Sequence, residues 1–186
     1  MGVYRGIAQD NVLINSGVID ATTLKIGSVA FAATATEVNR AADVSTRLVA
    51  AGATLAVTEA LHDGKIILLD TAAGSICTLP AATGSGARFR FQVSVIATSN
   101  SHIAKVANAN DTMVGQIITV SDDAANVYKP FFAAGTDDTI TLNRTTTGST
   151  RKGEWFELID IAANLWHVQG TTASTGTEAT PFSATV

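Results

Sequence analysis

From Thr54 onward the hydrophobic positions of this chain recur at every second residue, in short runs. Arg88-Phe89-Arg90-Phe91-Gln92-Val93-Ser94-Val95 is the clearest of them. Its alternation puts Phe89, Phe91, Val93 and Val95 on one face of an extended segment. Comparable runs cover Lys65 to Leu69, Ser75 to Leu79, His102 to Ala107, Thr112 to Val120, Tyr128 to Ala133, Thr139 to Leu142, Trp155 to Ile161 and Leu165 to Val168. Turn signals separate them roughly every 8 to 12 residues, the spacing of sandwiches and barrels. Asp63-Gly64 is a tight-turn pair, and Asn164 marks the turn of a hairpin between the last two runs. No segment of helical length and period interrupts the series, which argues against a parallel α/β sheet. The pattern predicts an all-β domain over residues 54–170, an antiparallel β-sandwich of jelly-roll type or a barrel.

The flanks follow other patterns. In residues 1–33 short apolar pieces are broken by Gly, Asn and Asp, and no period lasts. This stretch reads as an extended arm that cannot bury both its sides within its own chain. Val3, Tyr4, Ile7, Val12, Ile14, Val18 and Ile19 are its candidate partner contacts. Residues 34–53 read as a short helix and a linker. Thr34 followed by Glu37 forms a capping box, and Val38, Ala41 and Ala42 then share one face of a helix over about 35–42. Residues 171–186 are polar until Phe182 and read as a tail, ordered only if it docks on something.

Composition adds a constraint. Of 186 residues only 15% are charged while 46% are hydrophobic, against roughly 25% charged in average soluble chains. Ala, Thr, Ser and Gly fill the difference, as expected of a chain packed against other subunits. The net charge of −4 and the lack of a Lys/Arg cluster argue against nucleic acid as a partner. The apolar runs are too short to span a bilayer, and no basic segment followed by an apolar stretch suggests a signal peptide. Cys77, the single cysteine, alternates with its neighbours as a small core residue.

A search for chemistry finds structural explanations throughout. Thr83-Gly84-Ser85-Gly86-Ala87 resembles a phosphate-cradling loop but lacks the Lys-Ser/Thr pair and the following helix, so a flexible inter-strand loop is expected. His62, His102 and His167 have no His or carboxylate at metal-binding or catalytic spacing. Asp122-Asp123 and Asp137-Asp138 fall between runs and read as surface turns. Trp155, Phe156 and Trp166 offer a carbohydrate platform, yet aromatics in terminal strands more often pack. Phe89, Phe91, Trp155 and Trp166 are therefore candidates for core or trimer packing. No catalytic residue, metal site or cofactor is expected, and the chain reads as non-enzymatic.

Two stretches carry a resemblance. Ala33-Thr34-Ala35-Thr36-Glu37-Val38-Asn39-Arg40-Ala41-Ala42-Asp43-Val44-Ser45 resembles the "Thr-Ala-x-Glu-hydrophobic-Asn" segment of tail-fibre and head proteins of tailed bacteriophages. His62-Asp63-Gly64-Lys65 through Thr78-Leu79-Pro80-Ala81-Ala82-Thr83-Gly84 is similar to a module of phage virion proteins in which such a run precedes a strand like Arg88 to Val95. The resemblance covers roughly residues 33–170. It implies a trimeric β-rich knob, either a capsid decoration (cement) protein on the outside of the virion, with the major capsid protein and its own copies as partners, or a tail- or head-fibre receptor-binding module.

Overall fold

The computed structural model describes residues 25–26, 29–30, 33–42, 47–122 and 127–186. The chain forms two units, Met1–Val38 and Asn39–Val186. In the first, β1 (Lys25–Ile26) pairs antiparallel with β2 (Val29–Ala30). The helix α1 (Ala35–Ala42) opens on the expected capping box. The Thr34 amide donates to Glu37 Oε2 at 2.6 Å, and the Glu37 amide donates to Thr34 Oγ1 at 3.2 Å. The candidate arm contacts Val3, Tyr4, Ile7, Val12, Ile14, Val18 and Ile19 lie outside the described residues.

The second unit is an all-β sandwich of two mixed sheets, with one further short helix, α2 (Glu59–His62). Its strands are β3 (Leu48–Ala50), β4 (Thr54–Ala56), β5 (Ile66–Leu69), β6 (Ile76–Thr78), β7 (Arg88–Val93), β8 (His102–Lys105), β9 (Thr112–Ser121), β10 (Tyr128–Phe132), β11 (Thr139–Leu142), β12 (Trp155–Ala162), β13 (Leu165–Ser174) and β14 (Phe182–Ser183). The larger sheet has the order β10-β9-β13-β12-β7-β5-β3 and the smaller β14-β11-β8-β6-β4.

The antiparallel jelly roll and the barrel are both corrected by this topology. Strands β3 to β8 alternate between the two sheets, so β3, β5 and β7 lie parallel in one and β4, β6 and β8 parallel in the other. A parallel pair needs a long crossover. Here a strand of the opposite sheet provides it in place of a helix. A further parallel ladder joins β9 to β13 along ten residues, Thr112–Ser121 against Leu165–Ser174. The expected hairpin is present: β12 and β13 pair antiparallel around Asn164, which holds a φ of 63°.

The domain also exceeds its expected limits. The expected linker contributes β3, so the sheet starts at Leu48. The expected tail is largely built into the sandwich. Residues 171–174 complete β13, and Phe182, buried, pairs through β14 with β11. Thr172 and Ser174 point inward, and Thr172 Oγ1 lies 2.9 Å from Thr119 Oγ1 across the ladder. Hydroxyls that satisfy one another can occupy core positions where sequence alternation shows only polar residues.

Phe89, Phe91 and Trp166 are fully buried in the core between the sheets. Phe91 stacks on Phe156 with centroids 5.0 Å apart, and Phe89 meets Trp166 at 5.7 Å. These three side chains are committed to their own domain and are closed to a trimer contact. Cys77 is buried beside them, and burial pushes its thiol up to about 12. The strand at Arg88 ends at Val93, because the amides of both Ser94 and Val95 turn to the Leu69 carbonyl. Among the described residues no helix is long and apolar enough to cross a membrane.

Candidate functional site

Three carboxylates, Asp138 that sequence reading placed in a surface turn and Asp160 and Glu154 that it passed over, hold loops from within, while Asp123 lies outside the described residues. Asp160 occupies an inward position of β12, after Phe156 and Leu158, and is fully buried. It receives the amides of Thr83, Gly84 and Ser85 at 2.9, 2.7 and 3.0 Å, and the hydroxyl of Ser85 at 2.9 Å. The Gly-rich loop is thus an anion cradle already filled by the chain's own carboxylate, and the expected flexible loop is corrected to a pinned one. A positive φ of 83° at Gly84 helps aim these amides inward.

Two further loops are built the same way. Glu154 accepts the amides of Ser149, Thr150 and Arg151 at 2.7, 2.7 and 2.6 Å. Asp138 is buried, which corrects its assignment to a surface turn. It accepts the Thr139 hydroxyl and the amides of Thr185 and Val186, fastening the chain end to the sandwich. Its neighbour Asp137 does sit in a turn, accepting the Ala134 amide at 2.7 Å.

The histidines are likewise occupied. His102 is fully buried; its Nδ1 accepts the Ser75 amide at 3.0 Å, so Nε2 carries the proton donated to the Val95 carbonyl at 2.9 Å. His62 Nδ1 accepts the Thr58 amide. His167 sits at an outward position of β13. Among the described residues no three His, Cys, Asp or Glu side chains are grouped to hold a metal ion.

These environments set a pH dependence. Burial raises the carboxyls of Asp138 and Asp160, but the amide and hydroxyl donors outweigh it and hold both below the ordinary 3.8. Burial lowers His102 below 6.5, against the pull of the Val95 carbonyl and of Glu154 and Asp70. All three groups therefore bind protons more readily in the unfolded chain. The His102 contribution is complete above 6.5 and declines as pH falls below it; the two aspartates keep theirs until pH falls below 3.8 and through their folded values. Urea unfolding is expected to give a midpoint that drops modestly from pH 7.5 to 5 and steeply below 4. His102→Gln should flatten only the first decline. A midpoint that rises on acidification to pH 5 contradicts the assignment.

What the domain offers outward is the far face of the larger sheet. Positions alternating with the core there hold Leu48, Ile66, Leu68, Ile159, Leu165, Val114, Ile118, Val120, Tyr128, Pro130 and Phe132. Tyr128 and Phe132, on edge strand β10, are 70% and 69% exposed, and Leu48 on the opposite edge 62%. The central strands between the two apolar margins carry Arg88, Arg90, Gln92, Glu157, His167 and Gln169 on the same face; the Arg90 guanidinium lies 4.3 Å over the ring of Trp155, and Glu157 accepts from Gln169 at 3.0 Å.

Trp155 is the one aromatic of the four packing candidates that faces out. It is half-buried and lines a cleft of about 520 Å³ with Val120, Asp122, Arg151, Thr171 and Ala173. Arg151 and Asp122 form an ion pair at 3.8 Å at this cleft. A second cavity, of about 610 Å³, lies by Ile76, Ile103 and Arg144, whose guanidinium donates to the Thr98 carbonyl. Sequence reading missed the cleft because Asp122, Arg151 and Thr171 converge from three separate segments. The exposed aromatics had a usable signal: Tyr128, Pro130 and Phe132 share one face of a short strand beside a turn.

Searches of protein families, of curated proteins and of solved structures find no significant match to this chain.

Proposed function

We propose that this chain is a non-enzymatic structural protein of a tailed-bacteriophage particle, a decoration protein that binds the outer surface of the capsid and stabilises it. Its partners in this reading are the major capsid protein and two further copies of itself. The observation that carries it is the apolar β9–β10 margin of the larger sheet's outer face, where exposed Tyr128, Pro130 and Phe132 stand beside Val114, Ile118 and Val120. An exposed apolar patch of this kind marks a place where another protein docks. The low charge content and the sequence resemblance support the same reading. Glu154, Asp138, Asp160, His62 and His102 are engaged in holding backbone amides.

The test uses capsids lacking the protein. The full chain should bind them in a fixed ratio to the capsid protein and raise their heat resistance, and a chain without residues 1–33 should stay folded but fail to bind. A truncated chain that decorates particles fully would remove the arm from the mechanism, and a handful of copies per particle would replace decoration by a fibre role. The self-contact has its own measurement. Tyr128→Asp with Phe132→Asp should lower the sedimentation mass while leaving the far-ultraviolet circular dichroism of the folded chain unchanged. The fibre reading, a receptor-binding module, is favoured by one observation, the outward Trp155 in its cleft.

A further inference from the structure

We infer that the Trp155 cleft is a binding site for a neutral saccharide, a property separate from capsid attachment and tested separately. The cleft brings together groups that such a ligand needs and that the fold does not use. Its wall is an indole, its lining includes Thr171 and the small apolar side chains of Val120 and Ala173, and the acids Asp122 and Glu154 meet the base Arg151 there. Its volume of about 520 Å³ falls in the ordinary range of small-molecule sites, roughly 300–1,000 Å³.

The polar groups decide the ligand class. The Asp122–Arg151 separation of 3.8 Å is longer than the ~2.7–2.9 Å of a charge-assisted hydrogen bond. Each partner therefore keeps hydrogen-bonding capacity toward a third molecule. Asp122 accepts only, Arg151 donates only, and together they carry no net charge. A ligand that satisfies both must donate and accept from neighbouring atoms while remaining neutral. Vicinal hydroxyls on a sugar ring do this, and the C–H face of the same ring covers an indole. A phosphate or carboxylate ligand would be repelled by Asp122. Glu154, also at the cleft, is not available, because its oxygens are taken by the amides of Ser149, Thr150 and Arg151.

Trp155 is also held in place before any ligand arrives. The Arg90 guanidinium sits 4.3 Å above its ring, and a cation–π contact of this kind fixes the ring's orientation. Restricting a side chain in advance reduces the ordering cost of binding. An exposed ion pair by itself contributes little to stability, so Asp122 and Arg151 can be changed without unfolding the domain.

The measurement is ¹⁵N–¹H NMR of the full chain, whose two indole N–H signals separate Trp155 from the buried Trp166. Neutral oligosaccharides of glucose, galactose and N-acetylglucosamine, each at millimolar concentration, are the probes, with a sialylated trisaccharide as the acidic control. The expected result is a saturable shift of the Trp155 signal with at least one neutral probe and no shift of Trp166. Asp122→Asn and Arg151→Met should weaken that probe's binding at least tenfold at an unchanged unfolding midpoint. No saturable shift with any neutral probe, tighter binding of the sialylated control, or full binding by Asp122→Asn would overturn the inference. None of these outcomes bears on whether the chain binds capsids.

Discussion

Asp160→Ala is expected to destabilise the sandwich by about 3–5 kcal/mol, since several hydrogen bonds to a charged group, roughly 1.5–3 kcal/mol each, are lost together. The side chain is fully buried and gathers three backbone amides and two hydroxyls. Without it the amides of Thr83, Gly84 and Ser85 lose their shared acceptor, and a donor left without a partner costs about 1–3 kcal/mol where it is shut off from water. Asp160→Asn keeps the size but presents an amino group to a cluster of donors, so it should recover only part of the loss. Urea unfolding followed by far-ultraviolet circular dichroism measures both. An alanine variant within 1 kcal/mol of the native chain would mean that the loop is not held by this carboxylate.

Gly115→Ala is expected to cost at least as much as a strained backbone position does, more than about 3 kcal/mol once the clash is included. Gly115 lies in β9 opposite Val168, with a φ of 121°. A methyl group there would sit 2.0 Å from the Val168 carbonyl oxygen. That oxygen belongs to the backbone of β13, so relief requires the ladder itself to part. Gly135→Ala is the control, since nothing lies within 4 Å of its added carbon. Gly135→Ala should leave the thermal midpoint within a degree or two, while Gly115→Ala should lower it by far more. Equal midpoints would show that β9 and β13 do not approach as described.

How much of this was legible beforehand depends on what alternation reports. A period of two says which residues share a face, and it correctly put Phe89, Phe91 and Val93 together and Cys77 in the core. The Thr34–Glu37 box and the turn at Asn164 were readable because both rest on contacts between near neighbours. Alternation says nothing about which strand lies alongside or in which direction. The parallel pairs formed by winding between sheets were therefore read as antiparallel. The last turns of β13 were hidden because Thr172 and Ser174 fill inward places. Asp160 did leave a trace: a lone acid continuing the inward series Phe156, Leu158 in β12, with a Gly-rich loop elsewhere whose amides need an anion. Of the candidate site, Trp155 was named, but its outward orientation and its meeting with Asp122 and Arg151 depend on long-range register.

The strand order has a consequence for synthesis on the ribosome. Strands β9 and β10 join the larger sheet only through β13, and β13 is linked to β7 only through β12. The chain is made from its N-terminus, so β3 to β8 can stack in order as they emerge. The β9–β10 pair must then wait, unattached to the sheet, until the hairpin from Trp155 to Ser174 has left the exit tunnel and slipped between β7 and β9. Closure of the sandwich is thus a late event, and a nascent chain stalled before Leu165 presents an open sheet edge to solvent.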